Sequence, residues 1–227
     1  MWKTLQTSYR RLFPRYGFKI LRQYFPSQAP VRILDVGCGN HSPTLAKLFF
    51  PRSHYTGLDK DPNYNLDQED RQHLDTFLQM DLEAPDWGRL DPQGYDIILL
   101  AHVLEHVRQG ETVLEGLWPY LRPGGYFYLE TPSERSLTLP SMPGTLNFFD
   151  DPTHVRLYTL PELCNLFLRL KGQVVRAGLC RQKRKIVLLP VLLFLHLLRY
   201  GTWKRGALFW DLLGFAHFVL VRKPLCG

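Results

Sequence analysis

The sequence is poor in cysteine, and the few cysteines that it has form no recognisable pattern. They stand at positions 38, 164, 180 and 226, without a C-x-x-C pair and without a cysteine–histidine spacing suited to zinc. This indicates neither a disulfide framework nor a structural metal, so we assign no residue to a metal, and any metal requirement of a reaction stays open. The N-terminus lacks the apolar core of a secretory signal. A reducing, cytoplasmic environment fits these features best.

Acidic residues are absent from one end of the chain and nearly absent from the other. Residues 1–34 carry seven lysines or arginines and no acid, while residues 171–227 carry eleven and one acid, Asp211. The middle of the chain, 35–170, holds ten basic and twenty acidic residues, and the net charge is +7. This segregation predicts that the two ends meet an anionic surface or substrate.

One apolar run stands out, but it is too short for an ordinary membrane span. It extends over thirteen residues from Ile186 to Leu198, whereas a span needs about 20. Pro190 and Gly201 predict where a helix starts and ends. The alternatives are a helix on an anionic membrane or a lipid substrate, a buried cap in a monomer or dimer, and a span; we favour the first. Nucleic acid is not an expected partner, because the basic residues adjoin aliphatic runs rather than spaced aromatics.

The rest of the chain alternates short apolar runs with helical patterns, which is typical of a parallel sheet with crossover helices. The predicted strands are 31–36, 54–59, 77–81, 95–101, 125–131, 172–179 and 216–223. The helical patterns lie at 42–50, 64–76, 103–121 and 159–170. Ser42 before Pro43 predicts a helix cap, and Thr159 with Glu162 has the spacing of a capping box. An α/β fold is therefore expected.

A glycine-rich turn, LDVGCGN at 34–40, follows the first predicted strand. Gly37 and Gly39 allow a ligand to approach the backbone closely, although a tight turn without a ligand has the same pattern. A pyrophosphate cofactor would favour a third glycine at the position of Ser42. Asp35, beside the turn, disfavours phosphate and suits an ammonium group. A nicotinamide enzyme is therefore the less favoured interpretation.

Two acids close the next two predicted strands. Asp59 ends the second strand, where a carboxylate can accept both hydroxyls of a ribose. Asp81 ends the third strand between Met80 and Leu82, an arrangement that suits an adenine ring with its amino group on the acid. A ligand that combines ribose, adenine and a cation is S-adenosylmethionine.

Five segments follow one another with regular spacing: VRILDVGCGN, YTGLDKDP, QMDLE, YDIILLAHVLEHV and LRPGGYFYLETP. This ordered set resembles the class I S-adenosylmethionine-dependent methyltransferases, strongly over 30–132 and more loosely over 152–223. The resemblance implies a Rossmann-like, seven-stranded, mostly parallel sheet with helices on both faces. The implied strand order is 3-2-1-4-5-7-6, with strand seven antiparallel. S-adenosylmethionine would lie over the carboxyl ends of the strands.

The resemblance also assigns residues to the cofactor, from its methionine end through ribose and adenine to the sulfonium. The expected residues are Asp35, Gly37, Cys38, Gly39, Asp59, Lys60, Asp81, Leu82, Ala101 and His102.

Two histidine-containing segments supply the predicted catalytic residues. AHVLEHV offers Glu105 and His106, and it resembles the ubiquinone-pathway O-methyltransferases. Some of these form a divalent-metal site there, with a carboxylate where this chain has His102. THVRLYTLPEL offers His154 as a base and Arg156 as an anchor for an anionic group. For each of these residues, support of the fold is the alternative role.

We expect one methyltransferase domain over 1–227. Its parts are a basic helical cap (1–29), a cofactor-binding half (30–132), and a substrate half (133–223) with a hydrophobic helical insertion (183–215). A stretch rich in Pro, Ser and Gly at 132–151 is a predicted lid. The acceptor is expected to be small or lipid-linked and to be methylated at oxygen, at the inner face of a membrane. The alternative is a non-catalytic methyltransferase-like subunit that binds a partner or a membrane through the insertion. The oligomeric state stays open.

Overall fold

The computed structural model describes residues 13–225, and its centre is a seven-stranded sheet. The strands are β1 Arg32–Val36, β2 His54–Asp59, β3 Thr76–Gln79, β4 Tyr95–Ala101, β5 Leu121–Pro132, β6 Gln173–Leu179 and β7 Ala216–Arg222. Their order is β3-β2-β1-β4-β5-β7-β6. Strand β7 runs antiparallel to both of its neighbours, and the other pairs are parallel. The predicted fold and strand order are confirmed.

Helices pack around this sheet. They are α1 Tyr16–Leu21, α2 Ser42–Phe49, α3 Gln68–His73, α4 Gly110–Leu117, α5 Leu160–Arg169, α6 Lys183–Val187, α7 Leu189–Tyr200 and α8 Trp210–Leu213. Strand β4 is buried on both faces because Ile98 and Leu100 pack with α4 and α5, while Ile97 and Leu99 pack with α1 and α2. The most apolar predicted strand is therefore central, as parallel sheets require. Residues 1–12 of the predicted cap lie outside the described residues.

Two predicted helices are shorter than their sequence patterns. The pattern over 64–76 yields only α3. The pattern over 103–121 is split into a 3-10 turn Leu104–His106, helix α4 and a second 3-10 turn. The first break lies at Val107, whose backbone is extended. The carbonyl of Glu105, which a continuous helix would use, accepts instead from the backbone N–H groups of Val155 and Arg156 at 2.8 and 3.2 Å.

Of the two predicted helix caps, the one at Thr159 is confirmed and the one at Ser42 is wrong. Thr159 and Glu162 form the predicted capping box at the start of α5. Ser42 is not a cap: His41, with left-handed backbone, stands at that position without a side-chain cap, and Ser42 is the first residue of α2. The hydroxyl of Ser42 donates instead to the buried carboxylate of Asp35, which leaves it unavailable to the helix backbone.

The hydrophobic insertion between β6 and β7 folds into short helices. Helix α7 has Pro190 in its first turn and ends at Gly201, whose φ is 68°, as the sequence predicts. Between residues 13 and 225, we find no helix with the length and apolar character that a bilayer crossing requires.

Candidate active site

The carboxyl ends of β1, β2, β4 and β5 meet at one edge of the sheet, and the predicted site residues follow these ends. Parallel pairing sets Ala101 of β4 beside Glu130 of β5, and Asp59 of β2 beside Gln79 of β3. Open parallel sheets bind their ligands at this edge.

The glycine turn after β1 leaves no room for a side chain. Gly37 has a φ of +74°, and a Cβ atom there would lie 2.2 Å from Cγ2 of Val103. The backbone N–H groups of Gly37 and Cys38 both donate to the carbonyl of Leu58, at 2.8 and 3.3 Å, which holds the turn against β2. The Cys38 side chain is fully buried and its Sγ packs against Gly57. Any contact between Cys38 and a ligand is therefore limited to its backbone.

The second glycine of the turn faces a different segment. A Cβ atom on Gly39 would lie 2.6 Å from Cδ1 and 2.8 Å from the carbonyl oxygen of Tyr64. Glycine at this position therefore permits the loop after β2 to close over the turn.

Asp35, at the end of β1, is buried and hydrogen-bonded. Its Oδ2 accepts from the hydroxyls of Ser42 and of Tyr55, the latter at 2.6 Å. Burial raises the pKa of this carboxyl to about 6, although both hydroxyls oppose the rise. A cationic group placed beside Asp35 would favour its ionised form.

The acids predicted to hold ribose and adenine stand at adjacent strand ends. Oδ1 of Asp59 accepts from the backbone of Asp61 at 3.1 Å, and burial raises the pKa of Asp59. Asp81 is exposed and lies just past β3, where the backbone N–H of Met80 donates to the Asp59 carbonyl at 3.0 Å. Leu82 is half-buried beside it, and Lys60 is exposed. The two carboxylates therefore stand at the ends of neighbouring strands, which is the arrangement predicted for a nucleoside ligand.

His102 links the ends of β4 and β5 through two carboxylates. Its Nδ1 lies 3.2 Å from Oε1 of Glu105, and its Nε2 lies 3.2 Å from Oε1 of Glu130. Burial alone would lower the pKa of His102, but the two carboxylates raise it to about 10. Both ring nitrogens therefore carry protons at neutral pH and donate, so His102 is a fixed cation rather than a base.

Other residues complete this cluster. The hydroxyl of Thr131 donates to Oε2 of Glu105 at 3.1 Å, and the hydroxyl of Tyr128 donates to Glu130. The ring of Trp210, from the insertion, lies 5.0 Å from the ring of His102. Glu130 and Trp210 are not among the residues predicted from the sequence. The sequence did contain a signal for Glu130, because it is an acid near the end of β5, as Asp59 is on β2. Nothing in the sequence pattern indicated Trp210.

His106 and His154 lie side by side, with ring centroids 4.8 Å apart. Nδ1 of His154 is 2.7 Å from the carbonyl of Phe148, so that nitrogen donates and Nε2 carries the lone pair. The Thr153 hydroxyl donates to Asp151 at 2.6 Å and can accept from Nδ1 of His106 at 2.9 Å. Nε2 of each neutral ring therefore carries the lone pair, and Nε2 of His154 lies 3.9 Å from Oδ2 of Asp151.

Glu105 is close to this pair but is fully buried. Within the described residues, one oxygen of its carboxylate and one ring nitrogen each of His106 and His154 lie within 4.8 Å of one another, a set that could hold a metal ion. The Glu105 carboxylate, however, already accepts from His102 and Thr131. A dication there would face the positive charge of His102, which opposes its binding.

Arg156 is engaged by protein carboxylates. Its guanidinium contacts Glu111 at 2.6 Å and Glu162 at 2.5 Å, and it lies 4.5 Å from the centroid of the Tyr158 ring. These contacts favour the interpretation that Arg156 holds the loop before α5, rather than an acceptor.

The predicted lid is organised by one carboxylate. Asp150 accepts from the backbone N–H groups of Met142, Leu146 and Asn147 at 2.8–3.1 Å and from the Ser141 hydroxyl. Although burial acts in the opposite direction, these bonds lower the pKa of Asp150 to about 2. The stretch 132–151 is therefore a compact loop beside the two histidines.

A family model described as a methyltransferase domain matches residues 1–172. The chain belongs to the methyltransferase-domain family. This confirms the predicted class I S-adenosylmethionine-dependent methyltransferase and its cofactor, S-adenosylmethionine. The glycine turn and the paired strand-end acids fit that cofactor, because they offer a close backbone approach and carboxylates for its ribose and adenine.

Curated relatives of this methyltransferase match just under half of the chain. A trans-aconitate 2-methyltransferase of Paracidovorax citrulli is 27% identical over 111 residues, which are 48% of this chain and 42% of that protein. A ubiquinone biosynthesis O-methyltransferase of Paraburkholderia xenovorans is 29% identical over 104 residues, 44% of this chain and 43% of that protein. The chain therefore spans less than half the length of these relatives.

Solved structures show the same fold. Phosphoethanolamine N-methyltransferase 2 of Haemonchus contortus, solved with S-adenosyl-L-methionine, superposes with a TM-score of 0.67 at 15% identity. The match covers 95% of this chain and 56% of that one.

Proposed function

We propose that this methyltransferase transfers a methyl group from S-adenosylmethionine to an oxygen of a small, lipid-linked acceptor. The observation that carries the proposal is the pair His106 and His154, each with Nδ1 fixed by a hydrogen bond and Nε2 left basic. A hydroxyl acceptor benefits from such a base, which takes its proton as the oxygen attacks. A relative named as an O-methyltransferase supports oxygen as the methylated atom.

The residues of the site would divide the work between binding and proton transfer. The cofactor, when bound, supplies a methyl group on an already activated sulfonium. Asp59 and Asp81 would bind its nucleoside, and Asp35 would face its ammonium group. The turn at Gly37 would bring the backbone close, with Cys38 contributing backbone only. His154 would accept the acceptor's proton at Nε2.

His102 and Glu105 would position the site rather than transfer protons. A histidine held as a cation between two carboxylates cannot act as a base near neutral pH. Its charge is offset by Glu105 and Glu130, so the strand ends stay compatible with a positively charged sulfonium. Glu105 also accepts the backbone N–H of Val155 at its carbonyl, 2.8 Å away, which ties the His154 loop to the site.

The lipid-linked acceptor and a place at the cytoplasmic face of a membrane are supported by the apolar insertion, whose Trp210 contacts the site. The other candidate is a non-catalytic subunit that uses the insertion to bind a partner. The fixed orientation of both histidine rings favours the enzyme.

Transfer of labelled methyl groups tests the proposal. Purified protein with methyl-labelled S-adenosylmethionine is incubated with a cell lipid extract and, separately, with the aqueous fraction. Label should enter the lipid fraction, and an alkali-labile or ether-linked product would show attachment at oxygen. Absence of label from both fractions, together with stable capture of another protein, would favour the non-catalytic subunit.

A further inference from the structure

The insertion exposes an unusual share of the apolar surface. We call residues 181–213 the arm; it contains α6, α7 and α8. Of the sixteen large apolar side chains that are exposed in residues 13–225, ten lie in the arm. Within α7, only Leu189 is buried. Soluble surfaces rarely expose contiguous apolar patches of this kind without a partner.

The exposed side chains of α7 form one face. Val191, Phe194, Leu195 and Leu198 follow the spacing i, i+3, i+4 and i+7, and are 52%, 60%, 54% and 68% exposed. Residues at these intervals lie on the same side of a helix. At twelve residues, α7 is about 18 Å long, so it can lie along a surface but is shorter than a hydrocarbon core of about 30 Å.

Basic residues frame this apolar face at both ends. Residues 181–210 contain seven lysines or arginines and no acid: Arg181, Lys183, Arg184, Lys185, Arg199, Lys204 and Arg205. The next residue, Asp211, is buried; it pairs with Lys185 at 3.2 Å and accepts the backbone N–H of Gln182 at 2.6 Å. An apolar helix face between two basic ends is the pattern of helices that bind anionic lipid surfaces.

We infer that the arm docks on the surface of an anionic lipid bilayer, with α7 lying in the interface. The docking does not depend on the proposed function. The conclusion that the acceptor comes from that bilayer does rest on the proposed function.

Charge argues against the other occupants of this face. A second copy would bring the same basic ends against each other, because a two-fold interface pairs each patch with itself. Residues 1–12 of this chain carry Lys3, Arg10 and Arg11 and no acid, so they would be repelled as well. An anionic bilayer satisfies both the apolar face and the charges.

The arm is tied to the mouth of the active site. The backbone N–H of Gly206 donates to the carbonyl of Pro143 in the lid at 2.8 Å, and Nε1 of Trp210 donates to the lid carbonyl of Thr145 at 2.5 Å. The Trp210 ring then contacts His102. A bilayer under the arm would therefore face the lid and the entrance to the histidine pair.

Arg181 of the arm and one further cation, Arg135, lie at this entrance. Cδ of Arg135 and Nη2 of Arg181 lie 3.4 and 3.5 Å from the position that a Cβ atom would occupy on Gly214. The next residue, Phe215, stacks on His102 with centroids 6.1 Å apart. Two guanidinium side chains beside the site suit a phosphate or carboxylate head group at the membrane surface.

Vesicle flotation of the full-length protein tests the docking without acceptor or cofactor. Vesicles of phosphatidylcholine are compared with vesicles containing phosphatidylglycerol. The apolar variant F194S/L198S has a matched control in L168S/L225S, whose side chains are 56% and 68% exposed elsewhere on the surface. The charge variant K183E/R184E has a control in R52E/K171E, also exposed basic residues outside the arm.

Wild type and both controls should float with phosphatidylglycerol vesicles and bind plain phosphatidylcholine at least tenfold more weakly. Each arm variant should lose at least tenfold in affinity. Absence of flotation, or arm variants that bind like their controls, would overturn the docking. So would a wild-type dimer that F194S/L198S converts to a monomer, since that result assigns the face to a second copy. Flotation without methyl transfer to lipid would instead contradict the proposed function.

Discussion

The Nε2 atom of His102 lies 3.2 Å from Oε1 of Glu130, across the pair of strands β4 and β5. A second carboxylate, Glu105, holds the other ring nitrogen at 3.2 Å. The arrangement locks a cation at the end of the central strand, between the predicted cofactor residues and the two candidate bases. The backbone at His102 is left-handed, with a φ of 56°.

This cation makes stability depend on pH. The pKa of His102 is raised from 6.5 in the unfolded chain to about 10 in the folded protein, so its stabilisation is complete below pH 6.5 and is lost as pH rises through 10. H102Q should therefore unfold more easily than wild type at pH 7, by roughly 2–5 kcal/mol, with the difference shrinking toward pH 10. Urea unfolding at several pH values measures this. H73Q is the control, and a difference from wild type that does not vary with pH would contradict the assignment.

Replacing Asp35 should raise the stability of the protein but weaken its binding of S-adenosylmethionine. Its pKa is raised from 3.8 to about 6, so the stabilisation from its protonated form is lost as pH rises through 6. D35N removes the buried charge and should be more stable than wild type at pH 7.5, by about 1–3 kcal/mol. It should bind S-adenosylmethionine at least tenfold more weakly, since the ammonium group loses its carboxylate. The exposed D86N variant should change neither thermal unfolding nor calorimetric affinity; equal affinity of D35N and wild type would remove Asp35 from the site.

Some elements of this fold could be predicted from the sequence, and others could not. Strands β2 and β4 begin and end where their apolar runs do, because a buried strand between turn residues has no competing structure. The helix expected over 103–121 is interrupted at Val107, where the backbone is extended and the carbonyl of Glu105 accepts from Val155, which is distant in sequence. The contact of Trp210 with His102 likewise joins residues more than a hundred positions apart, and no local pattern records it.

The histidine pair should matter for catalysis more than for acceptor binding. H154Q should lower kcat by about 10²–10⁴-fold, with a smaller change in KM, because glutamine cannot accept the proton. H106Q should have a weaker effect, since the hydrogen bond between His154 and Phe148 survives. Steady-state kinetics with the labelled cofactor measure both variants. If H154Q keeps full kcat, the base lies elsewhere.

Removal of metal should not affect the reaction. The Glu105 carboxylate is held by the cationic His102, which opposes a dication between Glu105, His106 and His154. Activity after dialysis against EDTA should equal that of the untreated enzyme, and added Mg²⁺ or Zn²⁺ should not raise it. Loss of activity on chelation, restored by one of these ions, would establish a metal site and contradict this account.

The central claim is that the strand ends bind S-adenosylmethionine, with Asp59 on its ribose. Titration calorimetry of wild type, D59A and the adjacent control D61A measures this most directly, with NAD as the competing ligand and thermal unfolding as the check on folding. One site for S-adenosylmethionine is predicted, weakened at least tenfold in D59A, nearly unchanged in D61A, and not occupied by NAD. Unchanged affinity in a folded D59A, or preferential binding of NAD, would contradict it.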